Sequence, residues 1–357
     1  MTWMRMIYSV WAALLVGLVP LFGTTQALEG RAGEEQGLTG GAAGDTHAVE
    51  RRPMVSGRDG HGLGKAICYG PYRDGQRPGG PTPTAAQIAE DLRLMQPHWR
   101  LIRLYGSSEF GRRVLEGIHL NDLDMEVMLG VWIAPERTRD EGDAVSQTDA
   151  EALAANRREI DAAITLAKEY PHLVVAVCVG NETQVSWSAH RLPVDDLIRA
   201  IREVRAKVMV PVTTADDYQY WLTPESRRLT REIDFITLHA HPLWNGQQLD
   251  EALPWLDRQV AAVQAVHPET ALIIGETGWA TDKSGEGEQA RLMRGETGEA
   301  EQARFYAAAQ VWASQAGLLT FYFEAFDENW KGGADPHDAE KHWGFFRADR
   351  TPKLALQ

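Results

Sequence analysis

From residue 63 onward, short continuous apolar runs alternate with longer stretches that carry apolar residues at helical spacing. There are eight such runs: Lys65–Tyr69, Leu101–Tyr105, Glu126–Ile133, Leu173–Val179, Val212–Ala215, Ile233–Leu238, Ala271–Ile274 and Leu318–Phe323. Runs of this kind predict strands buried on both faces, as in parallel sheets. Between them, Ile88, Leu92 and Met95 share one helical face, as do Leu197, Ile201, Val204 and Val208, and also Leu253, Leu256, Val260 and Val263. Eight alternating units predict an α/β fold, a (β/α)8 TIM barrel forming a single catalytic domain over residues 63–357. A doubly wound sheet, with about five or six strands, would leave runs unassigned.

Two of the runs end alike. Leu173–Val179 gives way to Gly180-Asn181-Glu182, and Ala271–Ile274 gives way to Gly275-Glu276-Thr277-Gly278-Trp279. In the barrel these are the fourth and seventh strands, and barrel chemistry sits at the carboxyl ends of strands. One glutamate at a strand end can serve as a salt-bridge or loop-capping residue. Two facing each other across the mouth are what a glycosidase needs: an acid for the leaving oxygen and a carboxylate to attack. A retaining enzyme would hold the two carboxyls roughly 5–5.5 Å apart.

The polar punctuation elsewhere adds candidates. His239 and His241 flank Ala240 at the end of the sixth strand. Spacing of two puts both on one strand face, but no third ligand for a metal presents itself. Asp216, Asp217 and Tyr218 follow the fifth strand and read equally as a solvated loop or a sugar contact. No Cys/His pattern resembles a metal site and no glycine pattern a nucleotide loop, so neither cofactor nor metal is expected. Cys68 and Cys178 fall on the first and fourth strands, across the barrel, and are expected to be unpaired and buried.

Composition narrows the partners. The 357 residues carry a formal net charge of -14, which argues against nucleic acid and is neutral toward an uncharged glycan. Twelve tryptophans suit both core filling and stacking on sugar rings. Arg5, an apolar segment from Met6 to Phe22 and Thr25-Gln26-Ala27 have the layout of a secretory signal peptide, residues 1–27. The protein is therefore expected to be secreted or periplasmic, with membrane contact only if that segment stays uncleaved as an anchor. Residues 28–62, rich in Gly, Glu and Arg and without aromatics, are expected to be a flexible linker. The protein is expected to act as a monomer.

The two glutamate motifs resemble the acid/base and nucleophile motifs of glycoside hydrolase family 17, the β-1,3-glucanases and β-1,3-glucanosyltransferases of clan A. The resemblance extends through Ile67-Cys68-Tyr69-Gly70, Ile102-Arg103-Leu104-Tyr105, Phe323-Glu324-Ala325-Phe326-Asp327-Glu328-Asn329-Trp330-Lys331 and Glu340-Lys341-His342-Trp343-Gly344-Phe345-Phe346. The strand 8 motif is closer to microbial than to plant members. The resemblance implies a retaining enzyme on β-1,3-glucan, with Glu182 the acid/base and Glu276 the nucleophile. It further implies Asn181 on the sugar 2-hydroxyl and His241 in the substrate site orienting Glu276. Glu328, Lys331 and Glu340 match a charged trio around the catalytic pair, Lys331 being the cation that keeps Glu276 ionised; a surface ion pair is the other reading of Lys331 and Glu340. Tyr69, Tyr105, Trp279 and Phe326 are expected to line the cleft, with Trp279 against a sugar ring. The chain departs from plant members at Ala280-Thr281, and in the long charged segment 282–300, expected to shape the acceptor side of the groove. A glucan transglycosylase, another clan A glycosidase such as a cellulase or mannanase, and an inactive glycan-binding barrel are the alternatives.

Overall fold

The computed structural model describes residues 49–54, 65–139 and 145–357. The expected signal peptide lies outside the described residues. Among the described residues there are ten strands: β1 Ala66–Cys68, β2 Leu101–Arg103, β3 Glu126–Val131, β4 Arg137–Arg139, β5 Val145–Thr148, β6 Val174–Asn181, β7 Val212–Asp217, β8 Ile236–His239, β9 Leu272–Thr277 and β10 Thr320–Tyr322. All but β4 and β5 form a closed parallel barrel, sealed where Ala66 of β1 pairs with Phe321 of β10. Each barrel strand falls within or beside one of the apolar runs. The antiparallel β4–β5 pair is an insertion after β3 that the sequence pattern did not signal.

The barrel forms because its strands are buried along both faces. One face meets the lumen and the other meets the surrounding helices, so side chains alternate between two cores. The lumen holds Ala66, Cys68, Ala176, Cys178 and Ala215 interleaved with Met128, Phe235 and Phe321. Ile67, Ile102, Val127, Val177 and Ile236 face outward to helix residues such as Leu92, Leu115, Ile201 and Leu256. Small lumen residues leave room for the few large ones. Both cysteines are free and buried, as expected.

The helices carry ordinary end signals. The helix Ala85–Met95 begins with a capping box in which Thr84 and Gln87 each bond the other's backbone N–H. The helix Glu299–Ala316 ends on Gly317 in the left-handed conformation. Among the described residues no helix is long and apolar enough to cross a membrane.

Of residues 28–62, only 49–54 are described, and these lie along the barrel. Arg52 donates its backbone N–H to Asp234 at 2.6 Å and its guanidinium to the carbonyls of Val208 and Val210. Arg51 reaches the hydroxyl of Thr270 at 2.8 Å.

Candidate active site

Strict alternation along β9 would turn Glu276 away from the mouth, and a bulge there corrects it; a second bulge, on β6, turns Asn181 inward just before Glu182. On β9, Ile274 pairs with Leu238 and Glu276 with His239, so Gly275 is an extra residue, and pairing with β10 slips in the same stretch. Ile274 faces the helices, yet Glu276 two residues on turns inward, because the bulge resets the alternation. Only glycine fits there, since a Cβ on Gly275 would lie 2.2 Å from the Thr237 methyl carbon. On β6, Cys178 pairs with Thr213 and Asn181 with Ala215, again one residue too many, with Gly180 at φ +80.

Glu182 follows at φ 50, a left-handed conformation that disfavours side chains with a Cβ. Its backbone N–H donates to Ala215 O at 2.8 Å. The next turn is tied down by Asp216, whose carboxylate accepts the N–H groups of Gln184 at 2.8 Å and Val185 at 3.1 Å. Asp216 is fully buried, and burial pushes its pKa up to about 8, against the pull of those N–H donors. Asp217 is buried too and caps Gln219 at 2.8 Å. Of the two readings of this pair, the solvated loop is excluded.

One carboxylate oxygen of Glu182, one of Glu276 and a ring nitrogen of His239 all lie within 4.8 Å of one another. Arg103 of β2, buried in the barrel mouth, donates Nη1 to Glu276 Oε1 at 2.8 Å and Nη2 to Asn181 Oδ1 at 2.6 Å. Tyr105 donates its hydroxyl to the same Glu276 Oε1 at 2.8 Å. Glu276 Oε2 has a longer contact, 3.3 Å from His241 Nε2. A carboxylate only accepts, so Nε2 of His241 carries the proton.

The tautomer of His239 is settled by its neighbours. Its Nε2 lies 2.9 Å from Arg103 Nη1, which can only donate, so Nε2 accepts and the ring proton sits on Nδ1. Burial holds the His239 pKa down at about 3, which keeps the ring neutral. Nδ1–H then donates to Glu182 Oε1 at 2.9 Å, which leaves Oε2 as the oxygen that carries a carboxyl proton.

The two carboxyls are driven apart in acidity. Burial, with the adjacent charge of Glu276, pushes Glu182 up to about 8. Burial would also raise Glu276, but the charge of Arg103 and the hydrogen bond from His241 reverse the sign and hold it well below the usual carboxylate range. At neutral pH one is an acid and the other an anion, the division of labour that paired carboxyls need.

A second charged cluster adjoins the first. Lys331 Nζ lies 2.6 Å from both oxygens of Glu324 and 2.9 Å from Glu328. Glu328 also accepts the N–H of Tyr72 at 3.2 Å, and it closes against Gly70 so tightly that a Cβ there would sit 2.5 Å from its oxygens. Glu340 accepts the indole N–H of Trp244 at 3.2 Å. Burial pushes the Glu324 and Glu340 pKa values up, against the charge of Lys331. Lys331 is paired with the buried Glu324 and Glu328 rather than with Glu340 in a surface ion pair, and the cation against Glu276 is Arg103.

Tyr105, Asn181, Glu182, His241 and Glu276 converge at the mouth, with Glu328, Lys331 and Glu340 beside them. Three expected cleft residues do not join them. Tyr69 shares the outward face of Ile67, and its hydroxyl donates to Asp91 at 3.0 Å beneath the helix Ala85–Met95. Trp279 is 1% exposed, lies against Phe305 at 5.5 Å and donates its indole N–H to Glu296 O at 2.9 Å. The segment after the nucleophile folds over it, leaving Gly295 no room for a Cβ. Phe326 stacks on Phe346 at 5.2 Å, under the Arg350 guanidinium.

Three participants had been passed over: Arg103, His239 as a partner of Glu182, and Glu324. A charged residue inside an otherwise apolar strand was the available signal for Arg103. Glu182, His239 and Glu276 form a donor set able to hold a cation. The Arg103 guanidinium, bonded to both His239 and Glu276, already supplies positive charge there.

Comparison with known proteins agrees with this geometry. The model of the BtgE/BtgC glycoside hydrolase domain matches residues 66–344. A glucan 1,3-beta-glucosidase of Arthroderma benhamiae is 26% identical over 293 residues, 78% of this chain and 87% of the relative. One from Schizosaccharomyces pombe is 28% identical over 284 residues, 74% of this chain and 79% of the relative. Among solved structures, an endo-laminarinase from Formosa Hel1_33_131 superposes with TM-score 0.71 at 24% identity, covering 82% of this chain and 85% of that one. A Rhizomucor miehei beta-1,3-glucanosyltransferase mutant in complex with laminaritriose gives 0.64 at 21% identity, covering 82% and 96%. With a barrel closed by the expected strands, paired glutamates at its mouth and a family match over most of its length, the chain belongs to the BtgE/BtgC glycoside hydrolase domain family.

Proposed function

We propose that the protein cleaves β-1,3-glucan with retention of configuration, Glu276 acting as nucleophile and Glu182 as acid and base. The observation that carries this reading is the pair of carboxylate oxygens within 4.8 Å, one carboxyl protonated and the other ionised at neutral pH. Retaining enzymes hold their carboxyls about 5–5.5 Å apart, whereas inverting ones leave about 6.5–9.5 Å for a water. Relatives named glucan 1,3-beta-glucosidase support the choice of substrate.

Glu276 Oε1 is held by Arg103 and Tyr105, so the less encumbered Oε2 attacks the anomeric carbon. As the glycosidic bond breaks, its electron pair stays on the leaving oxygen, which takes the proton from Glu182 Oε2. Asn181, its Oδ1 occupied by Arg103, presents its amide hydrogens to the sugar 2-hydroxyl, a contact that strengthens in an oxocarbenium-like transition state. The ester formed on Glu276 is neutral. Its charge no longer raises Glu182, which can now accept the proton of an incoming water or sugar hydroxyl. The secreted or periplasmic location read from residues 1–27 belongs to this proposal, as the setting in which a glucan is met.

The test is proton NMR of laminarin digestion combined with chromatography of laminarioligosaccharide products over a short time course. Newly formed reducing ends should appear first as the β anomer. First appearance as the α anomer would overturn the nucleophile assignment, and no cleavage of any β-1,3-glucan would overturn the substrate.

A further inference from the structure

Among the exposed large apolar residues in the described part of the chain, Trp132 is the aromatic one, at 40% exposure. The other tryptophans discussed above are spent inside the fold or on a carboxylate. An indole left partly in water forgoes burial that the fold gives its other tryptophans, which calls for a reason. Its position suggests one. Trp132 directly follows β3, and the register Val131–Val179 places it level with Gly180 on the neighbouring strand, two residues before Glu182. It therefore stands on the same rim as the acid/base.

Its underside is built. The Trp132 ring lies on the His190 ring with centroids 4.8 Å apart and planes at 36°. His190 Nε2 is 2.7 Å from Asn181 O, and a carbonyl only accepts, so Nε2 carries the proton. Nδ1 then accepts from the Ser188 hydroxyl at 3.3 Å, and the His190 N–H also reaches Ser188 Oγ at 3.4 Å. Burial lowers the His190 pKa, so the ring under Trp132 is uncharged at neutral pH. A neutral imidazole, fixed at both nitrogens to the loop that carries Glu182, supports an exposed aromatic face. Flat aromatic faces of this kind take the apolar C–H face of a pyranose ring.

We propose that Trp132, seated on His190, is the stacking platform for a glucosyl unit on the leaving-group side of the cleavage point. The inference rests on the functional reading above. The general acid must touch the leaving oxygen, so the sugar that departs lies on the Glu182 side. The platform is tied to Asn181 and Ser188, which flank Glu182, while Glu276 stands on β9 across the mouth. In the second half-reaction the same shelf receives an incoming glucan, so it favours transfer to sugar over transfer to water.

The experiment compares wild type with Trp132→Ala and Trp132→Phe on two substrates. Laminarihexaose has sugars on both sides of the cleavage point; 4-nitrophenyl β-laminaritrioside has nitrophenol as its leaving group. Trp132→Ala should lower kcat/KM on the hexaose about tenfold, the worth of one aromatic stacking contact. It should leave the aryl glycoside within about twofold, lower the ratio of transfer to hydrolysis products and shift Tm by no more than a few degrees, because the ring covers His190 at the rim and is not in the core. Trp132→Phe should keep most of the hexaose activity. Equal losses on both substrates, or none on either, would overturn the platform while leaving the functional reading intact. A wild-type protein inert on both would remove the functional reading and the platform with it.

Discussion

Replacing Glu276 by glutamine keeps the side chain's size and its acceptor for Arg103 and Tyr105 but removes its charge. The consequence should be read at Glu182. One oxygen of each carboxyl lies within 4.8 Å of the other. At that distance and an effective dielectric of about 20, two unit charges repel by about 3 kcal/mol. Removing the repulsion should raise the acid dissociation constant of Glu182 roughly a hundredfold. Burial, the larger cause of its elevation to about 8, survives the substitution, so Glu182 should not return to an ordinary carboxylate. Carbon-13 NMR of protein labelled at the glutamate carboxyl carbon would follow the titration, with the Glu182→Gln/Glu276→Gln double variant identifying the signal by difference. An unchanged titration near 8 would refute the electrostatic coupling, and with it the account of how Glu182 changes from acid to base when Glu276 becomes an ester.

The same acidities predict that wild-type kcat/KM falls as pH rises through about 8, where Glu182 loses its proton, while Glu276 stays ionised well into acid. Glu182→Ala should cost about 10²–10⁴-fold on glucan, less on an aryl glycoside, with azide restoring turnover to a β product. Glu276→Ala should give only an inverted α product with azide and an activated donor; the opposite pairing of anomers would mean the roles are exchanged. Trp279→Ala should act on the fold, costing about 3–5 kcal/mol in denaturant unfolding. A variant of unchanged stability would show that the ring is not part of the core.

Much of the architecture was legible in the order of residues, and the reason is local. A strand buried on both faces must be apolar throughout, so eight barrel strands announce themselves as eight apolar runs, and the first polar residue after each marks the rim. Glu182 and Glu276 were readable as candidates because a charge closing such a run has nowhere else to go. The β4–β5 pair carried no such signal, being short and polar, with little to bury.

What the run of residues could not decide was direction and partnership. By alternation alone Glu276 belongs on the face of Ile274, toward the helices; the bulge at Gly275, visible only as a slip against both neighbouring strands, turns it into the mouth. Tyr69 was lost to the opposite face by the same alternation, and Trp279 was covered by a loop that local sequence does not place. Arg103 lies far from Glu276 and His239 in the chain and meets them only because the barrel closes. That contact selects the His239 tautomer, which in turn selects the oxygen of Glu182 that holds the proton. Residue identity and periodicity determined the barrel and the two carboxyls; the closed sheet, by bringing distant charges within hydrogen-bonding distance, decided which carboxyl is an acid and which is an anion.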